Sequence, residues 1–285
     1  MPRAGIKCPV DGAEITDKQC LACRLGPPRA DRHCQFPYEV LKLMMDDDGR
    51  ATAYVSASGT DPLCARQDWL LDRESYYVNP ERSYHAARGT MAHVWGQMNP
   101  RPGAVYEQRF EIPIEGFDVP FTGQLDTLIL TGIGEDGTIY ATIEDLKSKT
   151  DKKLPIHQAN QNNTIQLNCY RYLVKYGWPQ QPIATDRFGN PLLGNITLTP
   201  GTPAGIDVTK MTLNYFSMEK WVSFPAPIMS DDEVLRVIRK TMESRLSETA
   251  PAVPEGLDPH RSTFCKNWCP VRSACFMHQA DEEGW

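Results

Sequence analysis

Two short apolar runs, Gly123-Gln124-Leu125-Asp126 and Ile143-Glu144-Asp145-Leu146-Lys147-Ser148, each carry a carboxylate near one end. Water attacking a phosphodiester in line needs a divalent ion held by hard oxygen ligands, and a cation facing the charge that builds on phosphorus. Asp126 and Asp145 would supply oxygens, and the backbone carbonyl of Leu146 another. Side chains alternate along a strand, so Asp145 and Lys147 share one face while Leu146 points to the other. One strand thus presents ligand and lysine together. A lone Asp-x-Lys triplet is ordinarily a solvated strand end, because charged residues are normally exposed. The order of signals along the chain sets this one apart. Arg88-Gly89-Thr90-Met91-Ala92-His93 lies upstream on a helix, Asp126 ends one hydrophobic strand, Asp145-x-Lys147 ends the next, and Gln166-Leu167-Asn168-Cys169-Tyr170 opens a helix after them.

Residues of these types in this order resemble the PD-(D/E)XK nucleases over roughly residues 55–280. Within them the chain looks like the RecB-like branch, which contains the CRISPR-associated iron-sulfur exonucleases and the AddB-type repair nucleases. The resemblance implies a restriction-endonuclease-like core of the α/β (α+β) class, a central mixed sheet flanked by helices. It implies that His93 joins Asp126 and Asp145 around Mg2+ or Mn2+, that Lys147 serves the attacking water and the phosphate, and that Gln166 and Tyr170 support the site. A histidine ligand suits manganese at least as well as magnesium, since imidazole is softer than carboxylate. Two positions depart from the family: no proline precedes Asp126, and Val94, Trp95 and Gly96 follow His93 where a glutamate is often near. Neither departure removes a ligand.

Nine cysteines form the second signal. In a reducing compartment thiols in such number are more often metal ligands than disulfides. By resemblance to the cluster-bearing RecB-like nucleases, Cys64 before the histidine helix and Cys265, Cys269 and Cys275 after the core would hold a 4Fe-4S cluster. That cluster would close a loop of about 200 residues, which should stabilise the fold. Three residues separate Cys265 from Cys269 where two are commoner in the family, so zinc stays open as the occupant. Cys8, Cys20, Cys23 and Cys34 form a separate set with one tight Cys-x-x-Cys pair. They lie in a segment with little hydrophobic material, which needs a staple to fold. This set reads as a small zinc module, with His33 an alternative to Cys34 and a second iron-sulfur cluster the other occupant. Cys169, inside the glutamine helix, reads as a buried core thiol.

A chain of 285 residues suits one large or two small domains. The 41% hydrophobic and 23% charged content are globular values. No apolar run reaches membrane-spanning length, and the N-terminus leads into cysteines rather than a signal-peptide core, so the sequence reads as cytoplasmic and soluble. A formal net charge of -6 argues against coating nucleic acid by bulk electrostatics. Any binding must be local, and Lys147, Lys149, Lys152 and Lys153 beside the proposed site are the candidates; the last two read equally well as a solvated loop.

The elements that must position these groups follow from periodicity and breakers. Phe36 to Met45 reads as a short helix ended by the acidic turn Asp46-Asp47-Asp48-Gly49, giving a cysteine-rich module at 1–49 and a nuclease domain at 50–285. Ser58-Gly59-Thr60-Asp61 is expected to cap a helix carrying Cys64. Ser83 to Gln97 reads as the His93 helix, broken by Asn99-Pro100-Arg101-Pro102-Gly103. Strands are expected near Val105–Ile114, Val119–Leu130 and Ile139–Ser148 as an antiparallel meander. Glu107 on the first would reach the metal through water, or else lie on a solvated face. Gln166 and Tyr170, four apart on the helix Ile165–Tyr176, can act together or serve as ordinary packing residues. Residues 178–205 read as a peripheral loop, Met211–Phe216 as a strand, and Asp231–Leu246 as a helix with acids at its N-terminus.

The function these readings favour is a metal-dependent DNA nuclease. By resemblance it would be an exonuclease on single-stranded DNA or DNA ends, with protein partners in repair, recombination or CRISPR adaptation. The alternative is a non-catalytic nucleic-acid or partner-binding protein organised by zinc and iron-sulfur modules. Retaining buried charge beside buried charge without a use for it argues against that alternative.

Overall fold

The computed structural model describes residues 3–8, 10–25, 34, 36, 38–45, 55–60, 64–78, 89–94, 96–149, 157–186, 188–217, 219–254, 257, 262, 265 and 269–283. The turn 46–49 with the domain boundary after it, His33, Arg88, Trp95, and Lys152 with Lys153 lie outside the described residues. The chain divides into two compact units. One comprises Met1–Thr52, Leu63–Thr90 and Ser244–Trp285, the other Ala53–Pro62 and Met91–Glu243.

The second unit is built on a seven-stranded mixed sheet. Its strands are β3 (Val55–Ser56), β5 (Ala104–Ile112), β6 (Phe121–Ile133), β7 (Ile139–Ser148), β8 (Trp178–Pro179), β9 (Ile206–Phe216) and β10 (Trp221–Pro225), in the order β10-β9-β7-β6-β5-β8 with β3 beside β6. β5, β6 and β7 form the expected antiparallel meander. β7 then pairs in parallel with β9, reached through the helix α4 (Gln161–Tyr176). β6 is buried or half-buried from Phe121 to Leu130, as a central strand covered on both faces should be. The turn from β6 to β7 closes at Gly137, whose φ of 83° is the left-handed conformation that glycine takes at least cost. One continuous core runs from Phe110, Leu125 and Ile143 in the sheet to Leu167 and Leu173 on α4 and Ile238 on α5 (Asp231–Leu246). α5 starts where its acids predict, because Ser230 and Glu233 bond reciprocally in a capping box (Ser230 N to Glu233 Oε2 3.0 Å, Glu233 N to Ser230 Oγ 3.4 Å).

The first unit has a three-stranded sheet in which β1 (Gly5–Lys7) pairs antiparallel with β2 (Glu14–Ile15) and parallel with β4 (Tyr77–Val78). With α1 (Asp17–Leu25) and α2 (Tyr38–Met45) it encloses a small core of Ile6, Cys20, Phe36 and Leu41. A second cluster joins Trp69 and Leu70 of α3 (Ala65–Arg73) to Val271, Ala274 and Cys275, the last two on α6 (Arg272–Glu283). Arg245 clasps the Asp72 carboxylate at 2.6 and 3.0 Å, and Trp69 Nε1 donates to Ser247 O at 2.8 Å.

Three local expectations change. Cys64 is the N-cap of α3, in extended conformation, rather than a residue within a helix. Ser58, Gly59 and Thr60 do not cap a helix either: Ala57–Gly59 is a 3-10 turn, because Thr60 bonds back to Ala57 O through both its N–H (3.2 Å) and its hydroxyl (2.7 Å). Residues 178–205 are not wholly irregular, since β8 pairs with β5 and Ile183 bridges Leu198. Among the described residues no helix is long and apolar enough to cross a membrane.

Candidate metal centre

Asp126 and Asp145 sit on neighbouring strands just past the last paired residues, Thr127 and Glu144. Their carboxyls therefore fall where β6 and β7 part. Both are buried, Asp145 completely. Leu146 N donates to Asp126 Oδ2 at 2.7 Å, so the Leu146 backbone bonds to the first acid through its N–H. Lys147 Nζ bonds to Asp145 Oδ1 at 3.0 Å and lies 2.9 Å from Oδ2, out of line for a second hydrogen bond. Asp145 Oδ2 is thus a buried carboxylate oxygen without a donor.

The electrostatics describe a place that wants a cation. Burial and then the neighbouring Asp145 push Asp126 up to about 7, while His93, Lys147 and the Leu146 amide pull it back. Burial raises Asp145 too, against the charge and hydrogen bond of Lys147, the charge of His93 and a hydrogen bond to Asp126. Two buried carboxyls in contact need a shared proton or a metal between them. Lys147 loses by burial, but Asp145 and Asp126 hold it above its ordinary value.

The helical segment 89–94 and 96–98 brings in His93. Its Nδ1 lies 2.9 Å from Glu107 Oε1 and 3.4 Å from Asp126 Oδ1. Among the described residues His93, Glu107 and Asp126 form the group whose ligand atoms all lie within 4.8 Å of one another. Hydrogen bonding to Glu107 raises His93, burial lowers it, and the charges of Asp126, Glu107 and Asp145 raise it further. Glu107 reaches the group because its backbone is left-handed, with φ 52° in the middle of a strand. It drops out of the β5–β6 ladder between Tyr106 and Gln108. For a residue with a Cβ that conformation costs free energy and must be held by its surroundings. Gln124 Nε2 supplies part of the hold, donating to Glu107 Oε2 at 2.8 Å, while Arg109 donates to Gln124 Oε1 at 3.0 Å. Sequence reasoning missed Gln124 and Arg109, and the alternation of two paired strands was the signal that could have found them.

On α4, Gln166 Nε2 donates to the Tyr170 hydroxyl at 2.7 Å, as their spacing allows. Tyr170 is pushed well above its ordinary value by burial and then by the charges of Asp145 and Asp126. α4 can lie this close because position 123 is glycine: a Cβ there would stand 2.8 Å from the Tyr170 ring and 2.6 Å from Leu173 Cδ1. Cys169 is wholly buried, and burial pushes it up to about 12.

In the other unit, Cys64, Cys265, Cys269 and Cys275 line one cavity together with Leu70, Val253 and Arg272. All four are free thiols. Burial and then the charges of Cys265, Cys64 and Cys275 push Cys269 up to about 11, with the Val271 amide pulling down. Burial raises the Cys64 thiol, with the amides of Gln67 and Arg66 in the first turn of α3 pulling it back. Cys8, Cys20, Cys23 and Cys34 also converge, for burial and then the charges of Cys34, Cys8 and Cys23 push Cys20 up to about 11. Cys20 and Cys23 lie three apart on α1, and Cys34 packs against the core that contains Cys20. Among the described residues no three thiols of either set lie within 4.8 Å of one another. That is wider than a zinc cage, where bonds of about 2.3 Å in a tetrahedron set the spacing.

No curated protein matches the chain. A solved structure described as "Crystal structure of SSO0001" is similar at 13% identity, with a TM-score of 0.45, over 83% of this chain and 93% of that one. The profile of the PD-(D/E)XK nuclease superfamily matches residues 51–276. That span holds both acids, the lysine and the histidine, and the chain belongs to the PD-(D/E)XK nuclease superfamily, a family of metal-dependent nucleases.

Proposed function

We propose that the chain is a RecB-like, divalent-metal-dependent nuclease that hydrolyses DNA as an exonuclease on single strands or ends. The observation that carries this reading is the buried pair Asp126 and Asp145, with an undonated carboxylate oxygen on one and a histidine on the other. Mg2+ or Mn2+ held there would polarise the phosphoryl oxygen and activate the attacking water. Asp126, Asp145 and His93 would hold the ion, with Glu107 as a further ligand in place of the water-mediated contact expected for it. The Leu146 N–H fixes Asp126, leaving its carbonyl as an additional donor. Lys147, paired with Asp145, would turn its ammonium toward the scissile phosphate and position the water. Tyr170 and Gln166 would close the site behind the acids. Manganese-dependent cleavage of labelled single-stranded DNA tests the reading. Asp145→Asn and Lys147→Ala should each abolish it, and full activity in either variant overturns the assignment.

The cysteine unit fits two metal groups. The cavity of Cys64, Cys265, Cys269 and Cys275 would take a 4Fe-4S cluster, supported by the four thiols lining one cavity. Cys8, Cys20, Cys23 and Cys34 would take zinc by closing around it, since the exposed Cys23 has room to swing in. Anaerobic purification with iron, sulfide and zinc analysis tests both, and a colourless protein holding zinc alone overturns the cluster. Partners in repair, recombination or CRISPR adaptation fit such an enzyme.

A further inference from the structure

Glu107 is the strained member of the metal group. Its φ of 52° falls in the left-handed region, in the middle of β5, where a residue with a Cβ stays only if its surroundings hold it. The ladder does not impose that turn: Tyr106 opposite Thr127 and Gln108 opposite Leu125 keep one register across the gap, with no residue inserted on either strand. An extended conformation is therefore open to Glu107, and something outside its own backbone keeps it from relaxing. Two side chains of β5 and β6 supply that hold. Gln124 Nε2 donates to Glu107 Oε2 at 2.8 Å, and Arg109, opposite Gln124 in the ladder, donates to Gln124 Oε1 at 3.0 Å.

These bonds run in one direction. A guanidinium only donates and a carboxylate only accepts, so the amide between them is fixed, oxygen to Arg109 and nitrogen to Glu107. Turned the other way, it would set its NH2 against a cation and its oxygen against an anion. The result divides the two oxygens of Glu107. Oε2 is tied to Gln124, while Oε1 lies 2.9 Å from His93 Nδ1, which is 3.4 Å from Asp126 Oδ1. Released from Gln124, Glu107 would return to the extended backbone of its neighbours and carry Oε1 away from the ligand atoms of His93 and Asp126. A carboxylate held by an outer hydrogen bond binds metal more tightly than an unheld one, because the ion need not order it.

We propose that Gln124, oriented by Arg109, is a positioning residue that holds Glu107 Oε1 in the metal group and so sets the affinity of the centre for its ion; this rests on the metal ligands of the nuclease reading above. The test is a Mn2+ titration of the full chain, purified anaerobically and without DNA, following the EPR signal of free Mn2+. The binding counted is that lost in Asp126→Asn. Gln124→Leu, which changes no charge, should weaken it about 10-fold or more. Arg109→Leu should weaken it as well, although removing a cation would by charge alone tighten it. In a Glu107→Gly background glycine takes the same φ at little cost and no carboxylate remains to be held, so Gln124→Leu should change the binding no further. Wild-type affinity in Gln124→Leu, unchanged or tighter binding in Arg109→Leu, or a Gln124→Leu loss that persists in the Glu107→Gly background overturns the positioning role. DNA cleavage is measured separately. Gln124-dependent binding of Mn2+ by a wild type that cuts no DNA upholds the positioning role and sinks the nuclease reading; Mn2+-dependent cleavage with an affinity indifferent to Gln124 does the opposite.

Discussion

The carboxylate centre and the thiol cavities are built in opposite ways. Glu107, Asp126, Asp145 and Lys147 rise from three adjacent strands of a seven-stranded sheet, over a core that includes the wholly buried Phe110, Leu125, Leu128 and Ile143. The thiols hang from strands of two or three residues and helices of eight to twelve, beside clusters of only four and five buried hydrophobic residues among those described. So thin a core does not offset the conformational entropy of ordering the chain. A metal would therefore do different work in each place. In the sheet it would be a reagent added to a scaffold that stands without it; among the thiols it would be part of the scaffold.

Paired variants test that contrast most severely. Asp145→Asn should cut cleavage at least about 10^3-fold while iron content and unfolding stay as in the wild type. Cys275→Ser should do the reverse, losing iron and visible absorbance and opening residues 63–90 and 244–285 to protease. A Cys275 variant that stays protease-resistant without iron breaks the comparison. Gly123→Ala probes the sheet side with a smaller effect. The added methyl meets Tyr170 and Leu173, so urea unfolding should show a loss of about 1–3 kcal/mol, together with slower cleavage as Tyr170 is displaced. Wild-type stability in that variant means that α4 shifts freely, against the idea of a rigid scaffold.

Asp231 gives the smallest effect and a direction in pH. Against the desolvation that partial burial imposes, hydrogen bonds from Tyr176, Lys175 and Arg171 hold its carboxyl at about 2. A carboxyl held below its ordinary 3.8 stabilises the fold fully above that value, and the contribution fades as pH falls through about 2. Discounted for solvent screening, it is about 1–2 kcal/mol. Asp231→Asn should therefore trail the wild type by that amount in urea at neutral pH, with the gap closing toward pH 2. A gap independent of pH assigns the loss to α5 capping rather than to charge.

Legibility in the sequence followed locality. β7 and α5 begin and end where alternation and acidic residues put them, at Ile139–Ser148 and Asp231–Leu246, because each signal is written within the element itself. The meander was readable for the same reason. β4 and β8 were not, being two residues long and defined wholly by distant partners. β9 was seen only from Met211, though its pairing with β7 extends it back to Ile206. At the site, the residue types and order of His93, Asp126, Asp145, Lys147, Gln166 and Tyr170 pointed to one place, and the structure brings them together. Glu107 was legible only as a water-mediated contact or a solvated glutamate, because its approach to His93 depends on a backbone conformation that no glutamate announces. Cys64 likewise earned its position as a cap from the fold of α3, not from the serines before it.

The parallel pairing of β7 with β9 has a consequence for the order in which the molecule assembles. β5, β6 and β7 are sequence neighbours and can zip together early. β9 must wait until the fifty-odd residues after Ser148, with α4 among them, have been made and looped back. Until then β7 is an edge strand, and Lys147 and Asp145 lack Tyr215 and Leu213 opposite them. A chain emerging from the ribosome therefore carries both acids long before it holds them in a working cleft. The strand carrying Asp145 and Lys147 gains its second neighbour only when Ile206–Phe216 is in place.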